Sequence, residues 1–196
     1  MKKFVIMFLI SLGCLFSEAQ GCLRANVCLL VDWSGSEHGN EFQLCMAVHT
    51  FAKSLPVDSD HVRISILTFN DSAASRIIVP LTGSMEEVEY GVRQLVVSWA
   101  HGSTYASDAV YYAGYQMENE PAPFNFIVLI SDGDIYDAAE AKMWVNTYKS
   151  RMRLGAFGVF IGSQYGSGGL GDIVGQDNVV VSSVKELTDA LMKLDL

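Results

Sequence analysis

The feature that most constrains this chain is a regular alternation of short apolar runs with amphipathic stretches. Val27-Cys28-Leu29-Leu30-Val31 is apolar throughout, as expected of a strand buried on both faces. A helix is expected near 41–54, where Leu44, Ala47, Val48, Phe51 and Leu55 share one face and Pro56 stops it. Val62 to Phe69 reads as a strand, and Ser75 to Leu81 as a shorter one. Ser84-Met85-Glu86-Glu87 has the form of a capping box and opens a helix with Val88, Val92 and Leu95 on one face. Ala106, Ala109, Val110, Ala113 and Met117 make the stripe of a helix near 105–118. Phe124 to Ile130 is a strongly apolar strand. Asp137 to Glu140 is expected to cap a helix burying Ala141, Trp144, Val145, Tyr148 and Met152. Ala156 to Ile161 is the next strand, and the glycines from 162 to 171 suggest a flexible connection. Asn178 to Val181 is a last strand, and Ser183 to Glu186 caps a C-terminal helix carrying Val184, Leu187, Leu191 and Leu194.

Strands alternating with helices imply an α/β fold: a doubly wound, mostly parallel central sheet with helices on both faces. The run at 75–81 follows its neighbour closely, so it is expected as an antiparallel edge strand. Ligands of such sheets bind beyond the carboxyl ends of the strands.

Composition narrows the function. The 196 residues carry 13 Lys+Arg and 22 Asp+Glu, a formal charge of −9. A nucleic-acid binder needs a basic footprint, which this chain lacks. Mean hydropathy is positive at +0.25, which excludes a disordered chain. Residues 1–19 read as a signal peptide: Lys2 and Lys3 precede an apolar run, and Ser17 and Ala19 are small residues at a cleavage point. That run is too short to span a membrane. Residues 20–196 then form one secreted domain, with 11 basic and 21 acidic residues, no membrane span, and an expected tendency to assemble. Cys22, Cys28 and Cys45 remain, an odd number that leaves at least one thiol free or paired between chains. Cys28 and Cys45 lie in apolar patterns that suit buried thiols.

Three loops lie where the sheet would place a ligand. Asp32-Trp33-Ser34-Gly35-Ser36 follows the first strand, Gly102-Ser103-Thr104 opens a helix, and Ser131-Asp132-Gly133-Asp134 follows the most apolar strand. Together they offer few carboxylates and several hydroxyls. Such an all-oxygen shell suits a hard divalent cation, Mg²⁺ first, with Mn²⁺ or Ca²⁺ as alternatives.

This pattern resembles the von Willebrand factor type A domain, the fold of the integrin inserted domains. The metal-ion-dependent adhesion site of that family has the form Asp-x-Ser-x-Ser, then Thr, then Asp. Asp32, Ser34, Ser36, Thr104 and Asp132 fill those positions. The resemblance covers residues 26–195. It implies a binding module, not an enzyme, whose metal is completed by an exposed Glu or Asp of a protein partner at the cell surface or in the extracellular matrix. It further implies that the Thr binds the metal directly in the ligand-bound state, and that the C-terminal helix shifts.

Trp33, Glu37, His101 and Asp134 flank these loops and are candidate partner contacts; for Trp33, packing against a neighbouring loop is the competing reading. Without a cation the acidic rim would repel an acidic partner. Asn70-Asp71-Ser72 is an N-glycosylation sequon in a loop after a strand. Two other functions stay open on the residues alone. Paired Asp32 and Asp132 near a metal suit metal-dependent hydrolysis, and a metal that only braces the loops suits a structural domain.

Overall fold

The computed structural model describes residues 24–71, 75–133, 135–162 and 169–194. The expected signal peptide and Cys22 lie outside these residues, as do Asp134 and Ser72. Six strands are β1 (Ala25–Asp32), β2 (Val62–Phe69), β3 (Arg76–Thr82), β4 (Phe124–Ser131), β5 (Leu154–Ile161) and β6 (Val179–Ser182). Six helices are α1 (Glu41–Ser54), α2 (Met85–Val96), α3 (Ser107–Asn119), α4 (Ala138–Arg151), α5 (Gly169–Val174) and α6 (Leu187–Met192). The strands form one sheet in the order β3-β2-β1-β4-β5-β6. All pairs are parallel except β2 with β3, as expected for a closely following edge strand. No helix among the described residues is long and apolar enough to cross a membrane.

The two faces of β1 explain its unbroken apolar run. Val27, Leu29 and Val31 pack under α1, α2 and α6, whereas Cys28 and Leu30 pack under α3, α4 and α5. Burial pushes the thiols of Cys28 and Cys45 up to about 12, so both are structural and inert. The chain leaves β1 toward β2 on one side and returns toward β4 on the other. The strand order therefore reverses at β1 and β4, and a crevice opens at their carboxyl ends.

Three local expectations are corrected. Asp137 makes no side-chain hydrogen bond with its own helix. Part of the glycine-rich connection is helical, because Leu170, Ile173 and Val174 bury against the α3–α4 face. The C-terminal segment is shorter than a continuous helix: a 3-10 turn at Val184–Glu186 precedes α6, and Ser183 donates to the Glu186 carboxylate without capping a backbone N–H.

Helix α3 follows Thr104 directly, so its seating matters to the site. Gly114 allows α3 to lie against α4, where a Cβ would meet the Tyr148 ring at 2.1 Å. Tyr148 is buried and its hydroxyl donates to the Tyr111 carbonyl at 3.0 Å, so the ring cannot swing aside. Gly114→Ala should therefore destabilise by about 1–3 kcal/mol from overpacking, although alanine is the better helix former by about 1 kcal/mol. Thermal denaturation checks this, and an unchanged melting temperature would show that the ring has room to move.

Candidate metal centre

The site begins with strand register. Val31 pairs with Ile130, so the next residues, Asp32 and Ser131, meet on one face. The Ser131 hydroxyl donates to Asp32 Oδ2 at 2.6 Å. Asp32 Oδ1 accepts from the Ser34 backbone N–H at 2.9 Å, which folds the following loop back over the strand end. A 3-10 turn at Gly35–Glu37 then brings Ser36 beside Ser34, with their hydroxyls 3.0 Å apart. Ser36 Oγ donates to Asp132 Oδ1 at 2.9 Å, a contact across 96 residues of sequence. Asp32, Ser34, Ser36 and Asp132 are thus joined in one hydrogen-bonded run, buried at Asp32 and open at Ser36.

Thr104 is positioned by backbone on several sides. The Gly35 N–H donates to the Gly102 carbonyl at 3.0 Å, and the His101 N–H to the Trp33 carbonyl at 2.9 Å, tying the first and second loops together. The Tyr136 N–H donates to the Thr104 carbonyl at 2.9 Å, tying in the third.

Two carboxylates that sequence patterning did not single out for the site hold this arrangement. Asp137 accepts from the Ala106 and Ser107 N–H groups at 2.7 and 2.8 Å, so it caps α3 from another part of the chain. Asp71 accepts from the Ser103 N–H at 2.8 Å and lies against Gly102, which adopts φ +84°. A Cβ at Gly102 would sit 2.4 Å from that carboxylate. The glycine is required both by the positive φ and by the close approach.

The flanking candidates fare differently. Trp33 is only 4% exposed, and Glu37 is 0% exposed, so neither side chain lies on the surface as a direct partner contact; for Trp33 the packing reading holds. His101 is exposed beside the second loop. Asn70, the acceptor of the sequon, is 8% exposed and its Nδ2 donates to the His101 carbonyl at 3.2 Å. An accessible glycosylation site is not what this loop presents.

The electrostatics are those of crowded acids. Burial pushes the Asp32 carboxyl up to about 6, against the pull of the Ser131 and Ser34 hydrogen bonds and with a further push from Asp132. Burial first, then Asp132, pushes Glu37 up to about 8. Asn40 donates to Glu37 Oε2 at 3.1 Å, but Oε1 has no hydrogen-bond partner among the described residues. Among the described residues no three His, Cys, Asp or Glu side chains converge as a metal cluster. A cation here would be held by two carboxylates together with hydroxyls, a donor set that fits a hard divalent ion.

Comparisons with known proteins agree with this architecture. The sequence model of the von Willebrand factor type A domain matches residues 26–194. A manganese-loaded TRAP protein of Plasmodium vivax superposes with a TM-score of 0.69 at 15% identity, covering 86% of this chain and 72% of that one. Proximal thread matrix protein 1 from the mussel byssus, with a zinc-occupied MIDAS motif, gives 0.71 at 16% identity over 88% of this chain and 45% of its own. A von Willebrand factor type A protein from Catenulispora acidiphila gives 0.68 at 16% identity over 89% and 42%. The chain thus spans less than half the length of the mussel and Catenulispora proteins. No curated protein sequence matches this one.

Glu37 gives a direct test of the crowding. With its folded pKa near 8 and an ordinary value of 4.5, the folded chain holds more protons than the unfolded chain between those values. Stability of the metal-free protein therefore falls as pH rises through that window. Glu37→Gln removes this loss. The metal-free variant should melt above the parent at pH 8, by about 2–4 °C for each kcal/mol relieved, and the two should converge toward the ordinary carboxylate range. Equal melting temperatures at pH 8 would show that Glu37 carries no such penalty.

Proposed function

We propose that this chain, which belongs to the von Willebrand factor type A domain family, is a secreted protein-recognition module that binds an acidic residue of its partner through a divalent cation. Asp32, Ser34, Ser36, Thr104 and Asp132 would hold the ion, Mg²⁺ first, with Mn²⁺ or Ca²⁺ as alternatives. The observation that carries this reading is the hydrogen-bonded run from Asp32 through Ser34 and Ser36 to Asp132, closed by the 2.9 Å contact between Ser36 and Asp132. The zinc-occupied MIDAS motif of the mussel protein, and the manganese loading of TRAP, support a divalent ion as the ligand. The mussel byssus relative and the signal-like segment at 1–19 support an extracellular location.

The bound cation supplies a positive centre that a partner's carboxylate completes. The chain's own residues do the rest. Asp32 anchors the first loop to β4 through Ser131 and so holds Ser34 and Ser36 in place. Ser36 and Asp132 form the open side of the site. Thr104 is steadied by the backbone ties of its loop. The hydroxyls add donors without adding negative charge, which leaves the centre attractive to a Glu or Asp. We read the chain as a binding module rather than a hydrolase, since the buried Asp32 is committed to holding loops and stands beside no nucleophile–base pair among the described residues.

Partner capture from extracellular fluid or matrix should require divalent cation and cease in EDTA. Asp132→Ala and Thr104→Ala should each weaken divalent-dependent capture by at least about tenfold, the loss expected when a charged or polar anchor is removed. Thr104→Ala should leave the melting temperature within a few degrees of the parent. Capture that persists unchanged in EDTA would refute the reading. Metal binding with no divalent-dependent capture would reduce the ion to a brace for the loops.

A further inference from the structure

Beside the candidate metal centre lies a second concavity that the metal reading does not use. It is a cleft of about 220 Å³ between the end of β1, the edge strand β3 and the C-terminal end of α2. About 150 Å³ is enough for a cavity to take a benzene ring, so this cleft admits one ring-sized group with a small substituent. Its apolar walls are Trp33, Ile78, Leu95 and Trp99. Trp99 is 72% exposed and stands at the rim, where its ring stacks on His38 with centroids 5.3 Å apart.

The charge of the cleft runs against that of the chain. Arg76 and His101 line it, and no carboxylate does among the described residues, although the protein carries −9 overall. Arg76 has no ion pair among the described residues, unlike Arg63 and Arg151. Trp33, which lines the same cleft, has an indole Nε1 with no acceptor among the described residues. A buried donor without an acceptor is costly. A cleft with flat apolar walls and a guanidinium that has no ion pair among the described residues is complementary to an anion carried on a ring.

We propose that this cleft is a ligand subsite, separate from the metal, that takes a carboxylate borne on a flat, ring-sized apolar body. Arg76 supplies the charge, Trp99 and Leu95 cover the ring, and the Trp33 ring closes the back of the cleft. The ligand is either a free aromatic acid or the terminal carboxylate of a chain ending in an aromatic residue.

The three tryptophans, Trp33, Trp99 and Trp144, give three indole N–H signals for NMR. The protein is titrated in EDTA, so that metal has no part, with benzoate and with its neutral isostere benzamide. Benzoate should move the Trp33 and Trp99 signals saturably and leave Trp144 unmoved. Benzamide against the parent, and benzoate against Arg76→Gln, should each bind roughly tenfold more weakly, the effect of losing one charge-assisted contact. In a second arm, acetyl-Ala-Ala-Ala-Phe with a free carboxylate is compared with its amide. Tighter binding of the free peptide than of benzoate identifies a chain end as the ligand, and the reverse identifies a free acid. No saturable shift from either carboxylate, or equal binding of benzoate and benzamide, would overturn the proposal. Because every arm lacks metal, failure here leaves the metal-dependent function standing, and the converse also holds.

Discussion

The site depends on what happens to the Asp32 carboxylate at the end of β1. Its two oxygens are used in two directions, one by the Ser34 N–H and one by the Ser131 hydroxyl. The first contact bends the chain out of the strand. The second fastens that bend to the neighbouring strand at the point where the sheet order reverses. Every other element of the site is then placed by short backbone ties from this corner, to Gly102, to Trp33 and through Thr104 to Tyr136. Burying a carboxylate to do this is unfavourable, and its pKa rises accordingly. A divalent cation would relieve that cost, as well as the push that Asp132 exerts on both Asp32 and Glu37.

Much of the fold is legible in the sequence because its signals are local. The middle of a strand under both helical layers must be apolar on both faces, and Val27–Val31 of β1 and Phe126–Ile130 of β4 are. Helix α1 stands where its 3.6-residue stripe and Pro56 place it, and Ser84 caps α2 through the Glu87 N–H as its spacing suggests. What escaped patterning is contact between distant segments. Asp137 reads as a cap for the helix that follows it, yet its carboxylate caps α3 instead, some thirty residues back. Nothing near Asp137 in sequence signals that. Asp71 is hidden for the same reason, although Gly102 offers a faint clue in a loop that must turn with positive φ.

The candidate site residues sort along the same line. Asp32, Ser34, Ser36 and Asp132 were proposed on spacing and order, and the structure brings them into one hydrogen-bonded run. Trp33 and Glu37 are candidate contacts because they flank the metal loops. The burial of Trp33 follows from alternation along β1, which turns it to the face of Val27, Leu29 and Val31 and into the same core, whereas Glu37 is buried by the 3-10 turn that follows. Trp33 thus links two features: its neighbours in sequence build the metal loop, and its ring forms the back of the basic cleft. The acidic balance of the chain is equally divided in space. Acids gather at the candidate metal loops, while the cleft beside them is lined, among the described residues, by Arg76 and by no acid.

The central claim is that these loops form a single divalent-cation site built from two carboxylates and three hydroxyls. Titration of the metal-free protein with Mn²⁺, followed by electron paramagnetic resonance of the free ion, tests it most directly. One Mn²⁺ should bind per chain in the parent and be displaced by excess Mg²⁺, and Asp132→Ala should show no saturable binding. Equal Mn²⁺ binding by the parent and by Asp132→Ala would contradict it.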